Sequence, residues 1–346
     1  MNNKKSKIAI ITINQPSLNS ATILQKYLNE FNVAIYGKNG LQHNLNNFTE
    51  YNKLDDILPF AWKNFNAIIF ILATGAVVRK ISPFLQSKST DPAILVINLA
   101  LNRIIPLLSG HLGGANELAD IITKKLPNCI NFITTATDQT DTISFEMLAK
   151  KNGWRIKNLN SLAKISNSLI NKKTVNVITY KDIFAQLPRT ENLKFHFIEE
   201  KIKKDRENQV IICPITKSKS LTLIPKIYLG IGCNRGTSFE LIEKAVKLFL
   251  QIYSLKIEDV KNIASFEAKI DEIGILEFGK KYNFNIKFFD KNQINSLSNS
   301  FSKSASTKFF GLKGVAEPSA VLISQYKQLI IKKTVYFKSI TLALSI

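Results

Sequence analysis

The chain has 346 residues, a formal net charge of +21 and a mean hydropathy of +0.01. This length predicts two or three domains with sizeable hydrophobic cores. No apolar run approaches the roughly 20 residues that a membrane-spanning helix needs, and the run at residues 8–13 is too short for the core of a signal peptide. These features exclude a membrane protein and favour a globular chain.

The three cysteines, Cys129, Cys213 and Cys233, are odd in number and far apart. They include no Cys-x-x-Cys pair, so they predict neither a disulfide framework nor a zinc cluster. We therefore expect a reducing cytoplasm and no metal site held by the protein. The lysines are spread along the whole chain and no nucleic-acid-binding motif is present. We expect no nucleic acid as a partner, and the positive charge suits a polyanionic small molecule instead.

Apolar periodicity predicts strands and helices that alternate along the chain. In the first segment, strands are predicted at residues 7–13, 33–36 and 67–73, and a helix at 20–31. The Asn-rich residues 37–48 are interpreted as a surface excursion. In the middle segment, helices are predicted at 144–151, ending at Asn152-Gly153, and at 161–170, with strands at 175–180, 194–198 and 209–215.

The last segment begins with a strand at residue 227 that runs into a glycine-rich turn. Thr237 or Ser238 is the predicted N-cap of the helix that follows, which extends to about residue 250. Further helices are predicted after residue 271 and around Pro318, which suits a first helical turn. Further strands are predicted at 263–269, 286–289, 329–332 and 340–346.

A glycine-rich loop interrupts the apolar pattern at residues 109–114, with the sequence Ser-Gly-His-Leu-Gly-Gly. A strand precedes this loop and a helix follows it, so free backbone N–H groups at the helix start favour a carboxylate or a phosphate. Similar turns lie at residues 73–76, 88–92 and 134–138. Because ligands of open α/β sheets bind at the carboxyl ends of strands, we expect the four turns to converge on one crevice.

Taken in order, residues 73–79, 88–93, 107–119 and 133–138 resemble the N-terminal domain of the cobalt-precorrin-5A hydrolase (CbiG) family of anaerobic cobalamin biosynthesis. The motifs at residues 229–237, 264–272 and 314–318 resemble the C-terminal domain of that family, which also occurs alone in CobE proteins. The elements and the resemblance together predict an α/β fold, with two αβ domains of three-layer open sheets joined by a less regular αβ middle region. The expected boundaries are 1–138, 139–225 and 226–346.

The resemblance implies a specific reaction. Family members open the ring A δ-lactone of cobalt-precorrin-5A with water and release acetaldehyde, giving cobalt-precorrin-5B. Cobalt arrives with the substrate, so no cofactor of the protein's own is implied, and the other corrin-pathway enzymes are candidates for transient contact. The alternative is a non-catalytic carrier that binds a corrin precursor and returns it unchanged.

Lactone hydrolysis needs a base for the attacking water and donors for the oxyanion. His111, in the glycine-rich loop, is the first candidate base, with the N–H groups of Gly113 and Gly114 as donors. Glu117 is the second candidate base. The structural alternatives are a loop-closing hydrogen bond for His111 and a favourable interaction of Glu117 with the helix dipole.

The other candidate substrate contacts are polar or glycine residues of the same turns and motifs. They are Thr74, Gly75, Arg79, Lys80, Ser109, Gly110, Gly113, Gly114, Asn116, Thr135, Thr137, Asp138, Gly232, Arg235, Lys269, Glu272 and Glu317. Arg79 and Lys80 have a solvated helix face as their alternative role. The alternative for Arg235, Lys269 and Glu272 is a domain interface. Glu317 has a helix cap as its alternative.

Overall fold

A computed structural model of the chain describes residues 6–87, 90–111, 113–134, 143–187, 191–198, 208–302 and 311–346. The chain divides into two compact units, Met1–Asp141 and Thr142–Ile346. Helices alternate with strands in three separate sheets, which confirms the α/β fold class. Among the helices of the described ranges, none combines the length and the apolar character that crossing a bilayer requires.

The first unit is built on one seven-stranded sheet. Its strands are β1 (Lys7–Ile11), β2 (Asn32–Lys38), β3 (Phe48–Tyr51), β4 (Ala67–Phe70), β5 (Ala93–Ile97), β6 (Arg103–Leu108) and β7 (Ile130–Asn131), and its helices are α1 (Gln15–Tyr27), α2 (Leu54–Asn64), α3 (Thr74–Ile81) and α4 (Ala115–Lys125). The strand order is β3-β2-β1-β4-β5-β6-β7. Strands β1 to β5 are parallel, β6 runs antiparallel to β5, and β7 is parallel to β6.

Both faces of this sheet are covered by helices. Ile8 and Ile10 of β1 pack in the core that contains α1 and α4, whereas Ala9 and Ile11 pack in the core that contains α2 and α3. Successive side chains of a strand point to opposite faces, so a continuous apolar strand supplies both cores. The result is the predicted three-layer arrangement.

Helix α1 begins five residues before its predicted start. The side chain of Asn14 accepts the Ser17 N–H at 3.0 Å, and the Ser17 hydroxyl oxygen accepts the Asn14 N–H at 3.1 Å. This reciprocal capping box, with Pro16 in the first turn, fixes the helix start. The prediction at residue 20 was wrong because it followed only the apolar residues of the helix.

The second unit contains two five-stranded sheets. The strands of the first are β8 (Arg155–Lys157), β9 (Val175–Thr179), β10 (Leu193–Phe197), β11 (Gln209–Ile212) and β12 (Leu221–Ile224), and its helices are α5 (Phe145–Asn152), α6 (Leu162–Ile170) and α7 (Lys181–Phe184). The strand order is β10-β9-β11-β12-β8, and only β8 is antiparallel. The middle region is therefore more regular than the sequence suggested.

The second sheet of this unit follows directly. Its strands are β13 (Ile227–Cys233), β14 (Val260–Phe266), β15 (Asn285–Phe289), β16 (Leu329–Tyr336) and β17 (Ile340–Ser345), and its helices are α8 (Phe239–Ile252), α9 (Ile273–Tyr282), α10 (Lys291–Ser296) and α11 (Ala316–Ile323). The order is β15-β14-β13-β17-β16, with β13, β14 and β15 parallel. Helices α8 and α9 therefore both start at the carboxyl ends of this parallel set.

One core cluster runs through both sheets of the second unit, from Phe145 to Ile346. A partly buried ion pair adds to this connection, because Arg155 on β8 binds Asp259, which directly precedes β14. The Arg155 Nε and Nη2 atoms lie 2.7 and 2.6 Å from the two carboxylate oxygens of Asp259. The Asp259 side chain is 2% exposed and that of Arg155 is 26% exposed, so the carboxylate is shielded from solvent while its cation is partly exposed.

Candidate functional site

The first unit has a crevice where β1, β4 and β5 end. Its volume is about 530 Å³, and it is lined by Ile13, Asn14, Ile71, Leu72, Ala73, Ile97, Asn98, Leu99 and Ala100. It lies beside the boundary between β1 and β4. From this boundary the strands that follow in the chain are added in opposite directions, β2 and β3 on one side and β5 on the other. Ligands of open α/β folds usually bind at such a switch point. No lining residue is ionisable, so the crevice offers apolar contact.

Sequence reasoning missed most of this crevice. The candidate turns were recognised by their glycines and charged residues, and the residues that line this crevice include neither. The available signal was positional, because two of the three lining segments lie at the ends of the predicted strands 7–13 and 67–73, and the third lies at the end of the apolar run at residues 93–97. Of the predicted residues, Thr74 and Gly75 lie next to the crevice, at the start of α3.

The glycine-rich loop lies at the opposite edge of the sheet. In the antiparallel pair of β5 and β6, Ile97 faces Ile104 and Ile94 faces Leu108, so β6 ends where β5 begins. The prediction that the loops converge on one crevice was therefore wrong. The length of β5 separates the loop from the start of α3, roughly 15 Å at the usual rise per residue.

Within the glycine-rich loop, the backbone is closed by its own hydrogen bonds. The Gly114 N–H donates to the His111 carbonyl at 3.1 Å, and the Asn116 N–H donates to the Gly110 carbonyl at 3.0 Å. The Ser109 hydroxyl donates to the Asp91 carbonyl at 3.0 Å, which brings the residue 88–92 turn to this edge. Gly114 is thus not an open oxyanion donor, contrary to the prediction.

The two candidate bases occupy different surroundings at this edge. His111 is half-buried, and Glu117 is exposed in the first turn of α4. Asn116 is buried behind the loop, where its side-chain oxygen would lie 2.7 Å from a Cβ at Gly110. The structure therefore brings Ser109, Gly110, Asn116 and the two bases together. Thr135, Thr137 and Asp138 lie outside the described residues.

The predicted cations of α3 have partners within their own unit. Lys80 Nζ lies 2.7 Å from the Asp55 carboxylate on α2, and both side chains are exposed. Arg79 Nη1 donates to the Gly75 carbonyl at 3.0 Å. These contacts fit the alternative of a solvated helix face, and they lie on α3, whereas His111 lies in the loop before α4.

The second unit has a cleft of about 570 Å³ where β13 and β14 end, which we call the C-terminal cleft. It is lined by Arg235, Gly236, Thr237, Ser238, Phe239, Glu240, Asp271, Glu272, Ile273, Gly274 and Glu277. The Ser238 hydroxyl caps α8 as predicted. A Cβ at Gly274 would lie 2.2 Å from the Thr237 carbonyl oxygen, so this glycine lets the starts of α8 and α9 touch.

Three predicted residues meet at this cleft, of which Arg235 and Glu272 line it. The buried Glu272 carboxylate accepts the Gly236 N–H at 2.6 Å, and it lies 3.3 Å from Lys269 Nζ and 3.7 Å from Arg235 Nη1. Arg235 also binds Asp271, and this hydrogen bond holds the pKa of the Asp271 carboxyl below its usual value. Burial raises the pKa of the nearby Cys233 thiol, although the Lys269 charge opposes the shift.

Two other predicted residues, Gly232 and Glu317, make contacts that stabilise the fold. Gly232 lies within β13, where a Cβ would come 2.5 Å from the Thr341 hydroxyl oxygen of β17. Glu317 is buried, and its carboxylate accepts the Ser302 N–H at 2.7 Å, the Ser302 hydroxyl at 2.6 Å and the Lys333 N–H at 2.7 Å. Neither partner belongs to α11, so Glu317 ties two other segments to the helix instead of capping it.

We expect Glu317→Gln to lower stability at neutral pH and to matter less in acid. Burial raises the pKa of Glu317, but the hydrogen bonds from Lys333 and Ser302 outweigh it, and the resulting pKa lies below the usual value. The carboxylate therefore stabilises the fold above the ordinary glutamate pKa of about 4.3, and this contribution is lost as the pH falls through the lowered pKa.

The measurement is the free energy of unfolding at several pH values between 3 and 7. The variant should lose about 1–3 kcal/mol at pH 7, because its amide NH₂ then faces a backbone N–H. The exposed Glu258→Gln is the control and should leave the pH profile unchanged. A Glu317→Gln deficit that stays constant down to pH 3 would contradict the assignment.

Three family models match the chain in order. They are described as Cobalamin synthesis G N-terminal (residues 56–138), Cobalamin biosynthesis central region (143–225) and Cobalamin synthesis G C-terminus (227–345). The intervals that these models match lie within the three predicted segments, whose boundaries stay a prediction.

Curated relatives extend the match over most of the chain. The cobalt-precorrin-5A hydrolase of Priestia megaterium is 31% identical over 288 residues, covering 78% of this chain and 75% of its own. That of Salmonella typhimurium is 28% identical, covering 77% and 78%. A solved cobalamin biosynthesis protein G homologue from Sulfolobus solfataricus is 23% identical with a TM-score of 0.40, covering 99% of this chain and 97% of its own. The chain belongs to the CbiG family of cobalamin synthesis proteins.

Proposed function

We propose that this chain is a cobalt-precorrin-5A hydrolase of cobalamin biosynthesis. The observation that carries the proposal is the 31% identity to the Priestia megaterium hydrolase over 78% of the chain. Matches to all three family models support it, because they cover both units. The comparisons do not favour the carrier alternative, since the curated relatives are named as hydrolases.

The proposed reaction has two steps. In the first, a base removes a proton from water, the hydroxide adds to the lactone carbonyl, and the ring C–O bond breaks to give a carboxylate and a hydroxyl. In the second, the hydroxyl loses its proton, a C=O bond forms, and the adjacent C–C bond breaks to release acetaldehyde. The electron pair of that bond passes into the conjugated macrocycle of the substrate.

In this proposal, His111 is the base for water and Glu117 is the second candidate. Both lie at the edge where β6 ends, and the compact loop between Ser109 and Gly114 holds the backbone of His111. The Gly113 N–H remains the proposed oxyanion donor, because the Gly114 N–H is already bonded. A turn closed by backbone hydrogen bonds suits a reaction that depends on fixed positions.

The proposal also covers the surroundings of the reaction. The enzyme needs no cofactor of its own, since cobalt and the electron-accepting macrocycle come with the substrate. We place the reaction in the cytoplasm, and the three cysteines support this, because all are free. The net charge of +21 suits a substrate with several carboxylates.

The decisive experiment is an anaerobic incubation of the purified protein with cobalt-precorrin-5A, with released acetaldehyde trapped and counted. A hydrolase releases one acetaldehyde for each pigment converted, over many turnovers. If the protein binds the pigment and returns it unchanged, it is a carrier. A protein that neither binds nor converts the pigment would overturn both functions.

A further inference from the structure

Two cations, Lys269 and Arg235, lie near the C-terminal cleft, and they differ in how far they are buried. Lys269 is 18% exposed, and its ammonium faces the Glu272 carboxylate, which is 3% exposed. A buried carboxylate needs its cation, because an unpaired charge away from water is costly. The charge of Lys269 is therefore committed to Glu272 and is not offered to a ligand.

Arg235 is the exchangeable cation. Its guanidinium binds Asp271 at the mouth of the cleft, and the two side chains are 63% and 66% exposed. Exposed ion pairs contribute little to stability, because water and other ions compete for both partners. Displacement of Asp271 from Arg235 by the carboxylate of a ligand therefore costs the protein little stability.

The backbone of Arg235 is held from the other side. Gly236 has a φ of +75°, and its N–H is bound by the buried Glu272 carboxylate. This contact holds the backbone of the turn between β13 and α8, from which the Arg235 side chain extends. Arg235 can thus exchange the carboxylate that it binds, while the backbone at its base stays in place.

The rest of the cleft limits what can bind. Among the described residues that line it, Arg235 is the one cation and four are acidic, namely Glu240, Asp271, Glu272 and Glu277. Ile270 and Ile273 stand 62% and 69% exposed beside Asp271. The guanidinium can bind one carboxylate, the acidic side chains around it repel a second one, and the isoleucines offer apolar contact.

We propose that Asp271 occupies, in the free protein, the place of one substrate carboxylate on Arg235, and that the substrate displaces it on binding. For the identity of the ligand, an amphipathic macrocycle with peripheral carboxylates, this inference rests on the proposed function. Asp271 is then an internal competitor, and Arg235 is a carboxylate-binding residue. The C-terminal cleft selects a substrate edge that carries one carboxylate next to apolar surface.

The test compares variants of Asp271 and Arg235, for which we expect opposite changes in KM. Asp271→Asn removes the competitor, so the KM for cobalt-precorrin-5A should fall by about two- to fivefold with kcat unchanged. Arg235→Gln removes the receptor, so KM should rise by about tenfold or more. Glu258→Gln removes one negative charge beyond the opposite end of β14 and controls for overall charge, so it should leave KM unchanged.

Each outcome decides the inference. If both variants of the pair raise KM, or neither changes it, the pair is structural and the inference is wrong. If Glu258→Gln lowers KM as much as Asp271→Asn does, the effect is that of net charge and the inference also falls.

A second ligand separates this inference from the proposed function. Binding of uroporphyrin, a tetrapyrrole with eight carboxylates and no lactone, is followed by its fluorescence anisotropy for the same variants. Opposite shifts in a protein that releases no acetaldehyde would support the exchange and refute the hydrolase. Turnover by the parent without opposite shifts in either assay would refute the exchange alone.

Discussion

Replacing His111 by alanine should lower kcat for acetaldehyde release by about 10²–10⁴-fold, the usual contribution of a positioned general base. KM should change little, because the base acts on water and not on the bound pigment. Glu117→Gln should have the smaller effect if Glu117 only interacts favourably with the start of α4. The measurement is steady-state kinetics with trapped acetaldehyde.

The chain supplies a matched control for this prediction. His43 is another imidazole of the same unit and packs against the Phe48 ring, with centroids 4.0 Å apart. His43→Ala should retain full activity, with thermal stability measured for each variant. A large loss in Glu117→Gln with an active His111→Ala would transfer the role of base to Glu117. Full activity in both would rule out His111 and Glu117 as the base.

The second large effect is on stability. Arg155→Ala should lower the free energy of unfolding of the second unit by about 3–5 kcal/mol, because it leaves the buried Asp259 carboxylate without its cation. Among the residues that the structure describes, the Asp259 carboxylate would keep its contact with the Lys256 N–H, at 2.8 Å. Loss of this pair also removes a link between β8 and the residues that precede β14.

Urea unfolding followed by tryptophan fluorescence measures this effect locally. The chain has two tryptophans, so in a Trp62→Phe background the buried Trp154, next to Arg155, reports on the second unit alone. The double variant Arg155→Met with Asp259→Asn buries no unpaired charge and should be more stable than Arg155→Ala. A loss in Arg155→Ala below about 1 kcal/mol would mean that the pair behaves as a surface pair.

Local signals predicted several element boundaries well. Gly153, with a φ of +64°, ends α5 as the Asn-Gly pattern indicated, and Ser238 caps α8. Helix α2 was missed, since Pro59 lies inside it and interrupts the usual helix pattern. Strand β3 was missed because it is only four residues long and follows an Asn-rich segment.

The sequence did contain a signal against the prediction that the loops converge. Only residues 98–102 connect β5 to β6, and a crossover between parallel strands needs a dozen or more residues. A connection this short requires an antiparallel pair, which sends β6 back toward the start of β5. The glycine-rich loop therefore had to lie opposite the loops that follow β1 and β4.

The sequence by itself determined the fold class and the family, because hydrophobic period, caps and motifs are local properties. Only the tertiary structure decided which of the candidate residues share an edge, since that depends on strand direction. It also decided their partners. The contacts of Asp271 with the Arg235 guanidinium and of Glu272 with the Gly236 N–H follow from two neighbouring parallel strands that end together, and this close approach brings residues 36 apart in the chain into contact.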